Sequence, residues 1–427
     1  MEKRFYPQVG ETLYQGKLQN GLQIIVLPRP GFTKKLCYFV TDYGAIHTHF
    51  KMDGTAYAAP AGVAHYLEHK LFDMPGRDVT GEFAAMGASP NAFTSYDMTA
   101  YYFSCTENFK ENLKLLLEFV TTPYFTQESV AKEQGIIGQE IGMNEDNPDS
   151  VLFDMLAEAM YETHPIRYPI LGTRESIAQI TPEVLENCHR AFYRPDNMLL
   201  CIVGDVGPEE VEKIAAEKLA NVPCPQVEAP RLWNEPLTVK NPYVTRSMEV
   251  AMPMFHLGFK SEPLADGDEG VRREIVGDMA AEALFGESSE LYLQLYDEGL
   301  IDASFGGGYE TIEGMSMLLA SGDSENPEAV RDAILQAAEK IAETGISDED
   351  FLRMKRSALG RRIRGLDSFE STCFRLCAYH FSKFDYFRIP ELYGQVTKEE
   401  ILNFIREVVT QARMCLAVIT PKKEENL

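Results

Sequence analysis

Two histidines and a glutamate lie within five consecutive residues, His65-Tyr66-Leu67-Glu68-His69. On an α-helix, positions i, i+3 and i+4 share one face, so these three side chains point together. Two imidazoles four residues apart can bind one zinc ion, and the glutamate beside them can take a proton from water at the open metal position. This inverted H-x-x-E-H order predicts that His65 and His69 are metal ligands and that Glu68 is a catalytic base. A surface helix can also carry the pattern by chance, with the histidines in packing or capping roles.

A protein zinc site of this kind needs a third ligand from elsewhere in the chain. Glu140, at the end of the segment Glu133-Gln-Gly-Ile-Ile-Gly-Gln-Glu140, is the best candidate. Glu133 lies two turns earlier on nearly the same face, so we expect it to support a ligand or to act as an alternative catalytic acid. Gly135 and Gly138 each cost about 1 kcal/mol of helix propensity relative to Ala. Close approach of this helix to the histidine helix would account for that cost.

The elements that must position these residues can be read from periodicity and capping signals. A helix is expected at 61–73 and a second one at 78–87, where Gly87 marks its end. Residues 91–105 alternate and are rich in β-formers, which predicts a hairpin or paired strands. Thr126 is a candidate N-cap for the helix that carries Glu140. Further strands are expected at 22–29, 36–41, 198–204, 247–260 and 414–420, and further helices at 107–121, 150–162, 181–193, 207–221, 267–285, 327–344, 348–365 and 397–406.

The order of elements in the first half restarts after a proline-marked stretch, which indicates a duplication. The segment that begins at His65 can be laid on the segment Asp278–Phe285, and the helix of Glu140 on the helix of Arg362. The copy has lost both histidines, so only the first half is expected to hold metal. The predicted domains are a zinc-binding peptidase domain, a connector and a degenerate copy, at 1–225, 226–245 and 246–427 respectively.

Composition excludes several classes of protein. The chain has 427 residues, 45% of them hydrophobic, and a formal net charge of −25. This acidic balance argues against binding to nucleic acid or to anionic lipid. The N-terminus lacks the apolar segment of a secretory signal, and no run approaches the ~18 apolar residues of a membrane span. Eight scattered cysteines without zinc-ribbon spacing fit a reducing compartment, so a cytoplasmic location is expected. Cys373 and Cys377 share a helix face and are expected in the core.

Several further motifs surround these residues. They are Gly62-Val-Ala-His-Tyr-Leu-Glu-His69, Gly87-Ala-Ser-Pro-Asn-Ala-Phe-Thr-Ser95, Glu133-x₆-Glu140, His164-Pro-Ile-x-x-Pro-Ile-Leu-Gly-Thr-Arg-Glu-Ser-Ile177 and Tyr193-Arg-Pro-Asp-Asn-Met-Leu-Leu200. Together they cover most of the first half, and in them the chain resembles the pitrilysin-type inverted zinc peptidases, which include mitochondrial processing peptidase and insulin-degrading enzyme. The length is similar to that of bacterial short-chain members, which carry two homologous domains.

The resemblance implies a fold and a mode of action. Each half should be an α+β domain with a mostly antiparallel sheet packed by helices. Two such chains should pair as a clam shell around a closed peptide chamber, with one zinc ion bound to His65, His69 and Glu140. The resemblance also implies that Asn91, Ala92 and Phe93 form an edge strand that binds the substrate backbone by β-augmentation. An ordinary sheet strand is the alternative for that segment.

The chain departs from the family pattern in its second half. Active members carry an Arg and a Tyr there that contact substrate, and the matching positions hold Tyr296 and Asp302. Neither residue can replace its counterpart, because a guanidinium fork and a phenol are lost. The simplest explanation is a heterodimer in which a homologous subunit supplies the Arg and Tyr, and a homodimer stays open.

The sequence therefore predicts a zinc-dependent endopeptidase subunit that hydrolyses peptides and uses Glu68 to activate water. Two alternatives stay open. One is a non-catalytic scaffold subunit of the same fold, and the other is a subunit that binds peptides without hydrolysis.

Overall fold

The computed structural model describes residues 1–231 and 233–422 of the chain. This part combines α-helices with largely antiparallel sheets, which confirms the predicted α+β class with two domains. The residues form two compact units. The first unit consists of Met1–Ile141, Pro169–Pro230 and Ile363–Arg388, and the second of Gly142–Tyr168, Arg231–Arg362 and the chain from Ile389 onward. The chain therefore enters each unit more than once, whereas the ranges 1–225, 226–245 and 246–427 are consecutive stretches and stay a prediction.

Strands and helices are numbered here along the chain. The strands are β1 (Glu2–Tyr6), β2 (Glu11–Lys17), β3 (Gln23–Pro28), β4 (Lys35–Thr41), β5 (His49–Met52), β6 (Thr55–Ala58), β7 (Asp73–Met74), β8 (Arg77–Asp78), β9 (Ala88–Thr94), β10 (Thr99–Cys105), β11 (Met198–Gly204), β12 (Val227–Glu228), β13 (Tyr243–Met248), β14 (Met254–Ser261), β15 (Gly306–Ile312), β16 (Met315–Asp323) and β17 (Met414–Pro421). The helices are α1 (Val63–Leu71), α2 (Val79–Ala85), α3 (Phe109–Thr121), α4 (Gln127–Glu145), α5 (Pro148–Met160), α6 (Arg174–Ile177), α7 (Pro182–Phe192), α8 (Pro208–Lys218), α9 (Asp268–Phe285), α10 (Glu290–Asp297), α11 (Pro327–Thr344), α12 (Asp348–Arg364), α13 (Phe369–Phe381), α14 (Ile389–Gln395) and α15 (Lys398–Val408).

Most predicted elements are confirmed, with ends that differ by a few residues. The strand prediction at 247–260 was wrong in one respect, because the chain leaves β13 at Met248 and re-enters the sheet only at Met254. The elements that were not predicted include β1, β2, β5, β6 and α10, together with the short elements β7, β8, β12, α6 and α14. In β1, four of the five residues are exposed, so the buried alternation that marks a strand is missing there.

The first unit is built on a seven-stranded sheet in the order β1-β2-β3-β11-β4-β10-β9. β3 and β11 are parallel, and the remaining neighbours are antiparallel. Because side chains alternate along a strand, each strand supplies residues to both faces of the sheet. Phe39 and Phe103 pack in one buried cluster with Tyr66 and Leu67 of α1, and we call this side the α1 face.

The opposite side of this sheet is covered by α13, which packs on β4 and β11, and we call it the α13 face. The thiols of Cys373 and Cys377 hydrogen-bond Cys201 of β11, and all three cysteines are fully buried. The prediction that Cys373 and Cys377 lie in the core is therefore confirmed. β9 lies at the edge of the sheet, so no strand within residues 1–231 and 233–422 neighbours one side of its backbone.

The second unit repeats part of this topology. Its five-stranded sheet has the order β13-β17-β14-β16-β15, with β13 and β17 parallel and the other pairs antiparallel. The first sheet shows the same order of pairings in β3-β11-β4-β10-β9. α9 also packs on β15, as α1 packs on β9. The two units are thus topological copies, which supports the duplication inferred from the sequence.

One carboxylate ties together three segments of the second unit. Glu235, in the predicted connector, accepts hydrogen bonds from the backbone N–H groups of Glu162, Thr163 and His164. It also pairs with the Nζ of Lys260 at 2.7 Å, and the side chains of Glu235 and Lys260 are only 7% and 1% exposed. These partners hold the pKa of Glu235 at about 2, against the effect of burial, which raises it.

None of the helices in residues 1–231 and 233–422 combines the length and apolar character needed to cross a membrane.

Candidate metal centre

α1 carries the histidines, and its start requires a glycine. Gly62 precedes the helix with φ of 94°, in the region that L side chains rarely adopt. A Cβ added at Gly62 would also lie 2.5 Å from the carbonyl oxygen of Leu171. Tyr66 and Leu67 anchor the apolar side of the helix in the core. This anchoring fixes which way the remaining side of α1 faces.

His65, His69 and Glu140, the three predicted ligands, come together in the structure. The Nε2 atom of His65 lies 3.6 Å from Oε1 of Glu140, and Nε2 of His69 lies 3.6 Å from Oε2 of the same carboxylate. One potential ligand atom from each of the three residues lies within 4.8 Å of the other two. Glu140 stands on α4, so the group joins two helices of the first unit that are far apart in sequence.

The spacing of these atoms suits a tetrahedral zinc ion. With metal–ligand distances of about 2.1 Å, two ligands of such an ion lie about 3.4 Å apart. Each Nε2 lies 3.6 Å from a different oxygen of Glu140, which is close to that value and too long for a hydrogen bond. Two imidazoles and one carboxylate are also a donor set that catalytic zinc sites use, leaving a fourth position open. The residues present therefore fit the ion.

Glu133 contacts the other ring nitrogen of His69. Its Oε1 lies 2.9 Å from His69 Nδ1, and its side chain is 14% exposed. A carboxylate in this place favours a proton on Nδ1 and leaves the Nε2 lone pair directed at Glu140. The structure thus places Glu133, predicted as a catalytic or supporting residue, in contact with a candidate ligand.

The surroundings shift the pKa values of His65 and His69 in opposite directions. Burial, with a smaller contribution from neighbouring His69, lowers the pKa of His65 to about 3, so this imidazole is neutral at pH 7. Burial also acts to lower the pKa of His69. The hydrogen bond that His69 donates to Glu133, together with the charges of Glu133, Glu68 and Glu140, outweighs burial, so that pKa is raised overall.

Glu68 lies on the same helix, and its carboxylate faces the edge strand. Thr94 Oγ1 of β9 donates a hydrogen bond of 2.6 Å to Glu68 Oε2. Burial raises the pKa of Glu68, the hydrogen bond from Thr94 and the charge of His69 lower it, and the charge of Glu140 raises it, with a net rise. A carboxylate with a raised pKa is a better proton acceptor at neutral pH.

Thr94 was not singled out from the sequence. The signal was present, because Thr94 directly follows Asn91-Ala92-Phe93 and alternation places neighbouring side chains on opposite faces. What the sequence lacked was the pairing of β9 with α1.

Asn91, Ala92 and Phe93 lie in β9, at the free edge of the sheet. Ala92 is opposite Tyr101 in β10, but the Ala92 N–H donates to Oδ1 of Asn91. In an antiparallel pair, a residue directs both its peptide groups either to its neighbour or away from it. The peptide groups of Ala92 therefore face the free edge, where an added strand could pair with them.

The reason predicted for the glycines in α4 was wrong. A Cβ at Gly135 would have no heavy atom within 4 Å, and one at Gly138 would meet only the Arg174 guanidinium at 3.5 Å. Neither glycine is therefore needed for close approach to α1. Arg174 donates a 2.6 Å hydrogen bond to the carbonyl of Gly138, which ties α6 to α4.

In the second unit, an arginine lies at the place that corresponds to the candidate metal site. Arg362 of α12 matches Glu140, and Asp278 of α9 matches His65, in the duplication inferred above. Arg362 Nη2 lies 2.8 Å from Asp278 Oδ2 and 2.9 Å from Glu274 Oε1. Burial and the charge of Glu274 raise the pKa of Asp278 to about 6, although Arg362 lowers it. A fixed guanidinium thus joins the two helices here.

Tyr296 and Asp302 occupy the positions where an Arg and a Tyr were expected by resemblance. Tyr296 lies on α10 with 53% of its surface exposed and stacks on Tyr292. Asp302 accepts a hydrogen bond from the backbone N–H of Ser304. Neither side chain offers the donors of a guanidinium.

Known proteins match this chain along most of its length. A family model described as "Insulinase (Peptidase family M16)" matches residues 53–174, and one described as "Peptidase M16 inactive domain" matches residues 179–358. A Bacillus subtilis protein named "Uncharacterized zinc protease YmfH" is 37% identical over 424 residues, which cover 98% of each chain.

Solved structures agree with these matches. An M16-like peptidase from Alicyclobacillus acidocaldarius is 33% identical, with a TM-score of 0.91 over 96% of this chain and 99% of that one. Pitrilysin shares the fold, with a TM-score of 0.80 at 17% identity over 99% of this chain and 46% of that one. The resemblance to pitrilysin-type peptidases is confirmed, and the chain belongs to peptidase family M16.

Proposed function

We propose that this chain is the metal-binding subunit of a zinc-dependent endopeptidase. The observation that carries the proposal is the convergence of His65, His69 and Glu140 beside the carboxylate of Glu68. The name of the Bacillus subtilis relative, a zinc protease, supports zinc as the metal. In this proposal His65 and His69 would hold one zinc ion through Nε2, and Glu140 would hold it through its carboxylate. The bound ion would lower the pKa of a water and polarise the scissile carbonyl of a peptide.

Glu68 acts as the general base. Its carboxylate takes the proton of the attacking water and passes it to the leaving amine, a role worth roughly 10²–10⁴-fold in rate. The Thr94 hydroxyl donates to Oε2 of Glu68 and so helps to orient this carboxylate. Burial helps by raising the pKa of this carboxylate.

Glu133 acts through His69. By accepting the Nδ1 proton, it orients the ring and keeps Nε2 free to bind metal. This role replaces the alternative in which Glu133 exchanges protons with substrate.

The substrate binds as an added strand on β9. The outward peptide groups of Ala92 would pair with the peptide backbone, and Asn91 and Phe93 flank them on the same edge. A peptide in that place lies beside Thr94, whose hydroxyl contacts Glu68. Backbone pairing suits an endopeptidase that accepts varied sequences.

The active complex includes a homologous partner. Tyr296 and Asp302 stand where an Arg and a Tyr would contact substrate, so we propose a heterodimer whose second subunit supplies them. The rival proposal is a non-catalytic subunit of the same fold. The absent Arg and Tyr favour that rival, whereas the complete set of candidate ligands favours the peptidase.

Metal content and turnover together test the proposal. The purified chain should bind one zinc ion, measured by mass spectrometry of the metal, and Glu68→Gln should keep that ion. With the homologous partner present, Glu68→Gln should lower peptide cleavage by at least about 10²-fold, and the exposed Glu186→Gln should not. A chain that binds no zinc supports the scaffold, and full activity of Glu68→Gln would exclude the proposed mechanism.

A further inference from the structure

A cluster of aromatic side chains lies beside the free edge of β9, on the side away from the candidate metal ligands. Thr94 contacts Glu68 on the α1 face, so its neighbour Phe93 points to the α13 face. The ring of Phe93 lies 5.9 Å from Phe374 of α13, 6.3 Å from Tyr102 and 6.4 Å from Tyr38, measured between centroids. Four aromatic rings from four different elements therefore meet at this edge.

These rings differ in what supports them and in their exposure. Tyr38 and Tyr102 are cross-strand partners whose rings stack at 4.5 Å, and Tyr38 is only 4% exposed. Phe374 keeps 43% of its surface exposed, and Phe93 is partly exposed. The stacked pair, of which Tyr38 is buried and Tyr102 is half-buried, thus supports two rings that still present apolar surface.

The edge strand indicates what would cover that surface. A peptide paired with β9 would alternate its side chains between the two faces of the sheet. Side chains on the α1 face would lie toward Glu68 and the metal residues. A side chain opposite Phe93 would have its Cβ about 5 Å from that of Phe93, on the α13 face. It would then rest on Phe93 and reach the exposed surface of Phe374.

We propose that Phe93 and Phe374 form an apolar subsite that selects a bulky apolar or aromatic side chain of the bound peptide. The proposal rests on the proposed function, because it requires a peptide on β9. It adds a determinant of specificity from α13, which follows β9 by more than 270 residues. Backbone pairing alone would not discriminate between side chains, whereas this subsite would set the register of the peptide relative to Glu68.

Peptide binding, read without turnover, tests the subsite. The probe is a set of fluorescent ten-residue peptides of alanine and serine in which one phenylalanine moves from position to position. Affinities are measured by anisotropy on zinc-loaded Glu68→Gln protein with its partner. We expect one register to bind about three- to tenfold more tightly than the peptide without phenylalanine.

Replacement of Phe374 then distinguishes side-chain recognition by the subsite from backbone pairing with β9. In Phe374→Ala, the phenylalanine peptides should bind no more tightly than the plain peptide binds to the same variant, and Phe374→Leu should restore part of the gain. Phe32→Ala is the matched control, since Phe32 is 57% exposed and contacts α13 through Phe369 at 5.6 Å. It should leave the preference intact.

Each outcome separates the two proposals. A gain that survives Phe374→Ala, or no preference for phenylalanine at any position, overturns the subsite, even if wild-type protein cleaves peptides. A preference that depends on Phe374 in a protein that cleaves nothing supports the subsite and overturns the proposed peptidase function. If no peptide binds, the subsite is overturned.

Discussion

At the scale of single residues, the candidate centre depends on how each ligand is held. His65 is buried, and burial, with a smaller contribution from His69, keeps its imidazole neutral. His69 is more exposed and depends on Glu133 for its orientation. A metal ligand that lacks such a carboxylate partner binds less tightly, because its ring is free to turn and its basicity falls.

Replacement of Glu133 should therefore weaken metal binding more than it affects the fold. We expect Glu133→Ala to lower zinc affinity about 10- to 100-fold, measured by competition with a chromophoric chelator. Glu133→Gln should lower it less, because its amide oxygen can still accept the Nδ1 proton. Glu128→Gln, an exposed glutamate in the first turn of the same helix, serves as the control. Unchanged affinity in Glu133→Ala would show that His69 does not need this partner.

At the scale of elements, the two units use the same pair of helices in different ways. In the first unit, α1 and α4 present two imidazoles and a carboxylate to each other. In the second, α9 and α12 are joined by Arg362, Asp278 and Glu274. A fixed cation needs no ligand exchange and keeps the helices together without metal. It also leaves no open position for chemistry.

Loss of this cation should destabilise the second unit. We expect Arg362→Ala to lower the free energy of unfolding by about 2 kcal/mol. This is less than the ~3–5 kcal/mol typical of fully buried pairs, because the side chain of Asp278 is 31% exposed. Its neighbour Arg361 pairs with Glu282 while 50% exposed, so Arg361→Ala should cost under about 1 kcal/mol.

Fluorescence of Trp233, the single tryptophan of the chain and a residue of the second unit, reports this unfolding in denaturant. Equal effects of the two arginine variants would contradict a special role for Arg362.

The buried Glu235 carboxylate, which joins three segments of the second unit, should make the stability of that unit depend on pH. Its pKa falls from 4.5 to about 2 on folding, so the ionised form stabilises the folded state above pH 4.5. That contribution, about 3 kcal/mol at pH 7, is lost progressively as pH falls through 4.5 toward 2. The free energy of unfolding of wild-type protein should thus exceed that of Glu235→Gln by the largest amount at pH 7. This difference should be smaller by about 2 kcal/mol at pH 3.

Denaturant titrations followed by Trp233 fluorescence at both pH values check this. The exposed Glu325→Gln variant should show no such pH-dependent difference. A gap between wild type and Glu235→Gln that stays constant with pH would mean that ionisation of Glu235 does not stabilise the unit.

At the scale of the whole molecule, the proposed function requires more than one chain. The first unit contains the candidate ligands, the proposed base and the edge strand, whereas the second holds Tyr296 and Asp302 where substrate-binding donors were expected. An isolated zinc-loaded chain should therefore hydrolyse unstructured peptides slowly. Added homologous subunit that carries the Arg and Tyr should raise the rate by at least about 10²-fold, in line with loss of a positioned charge-stabilising donor.

The rate of peptide cleavage against partner concentration measures this dependence. A partner variant that lacks the Arg is the control and should fail to stimulate. Rapid turnover by the isolated chain would remove the need for a heterodimer.

Local patterns in the sequence were enough to predict the class of fold and most helices and strands. They also predicted that His65, Glu68 and His69 lie on one side of α1. These features follow from helical and strand periodicity, which acts over a few residues. The duplication was also readable, since the second half repeats the order of elements of the first.

Tertiary structure decided which distant groups meet. It set the Glu140 carboxylate 3.6 Å from both Nε2 atoms, Glu133 against His69, and Thr94 against Glu68. It also brought Phe374 to Phe93, although more than 270 residues separate them. Such contacts depend on how helices pack on a sheet and on the order of its strands, and local periodicity carries no information about either.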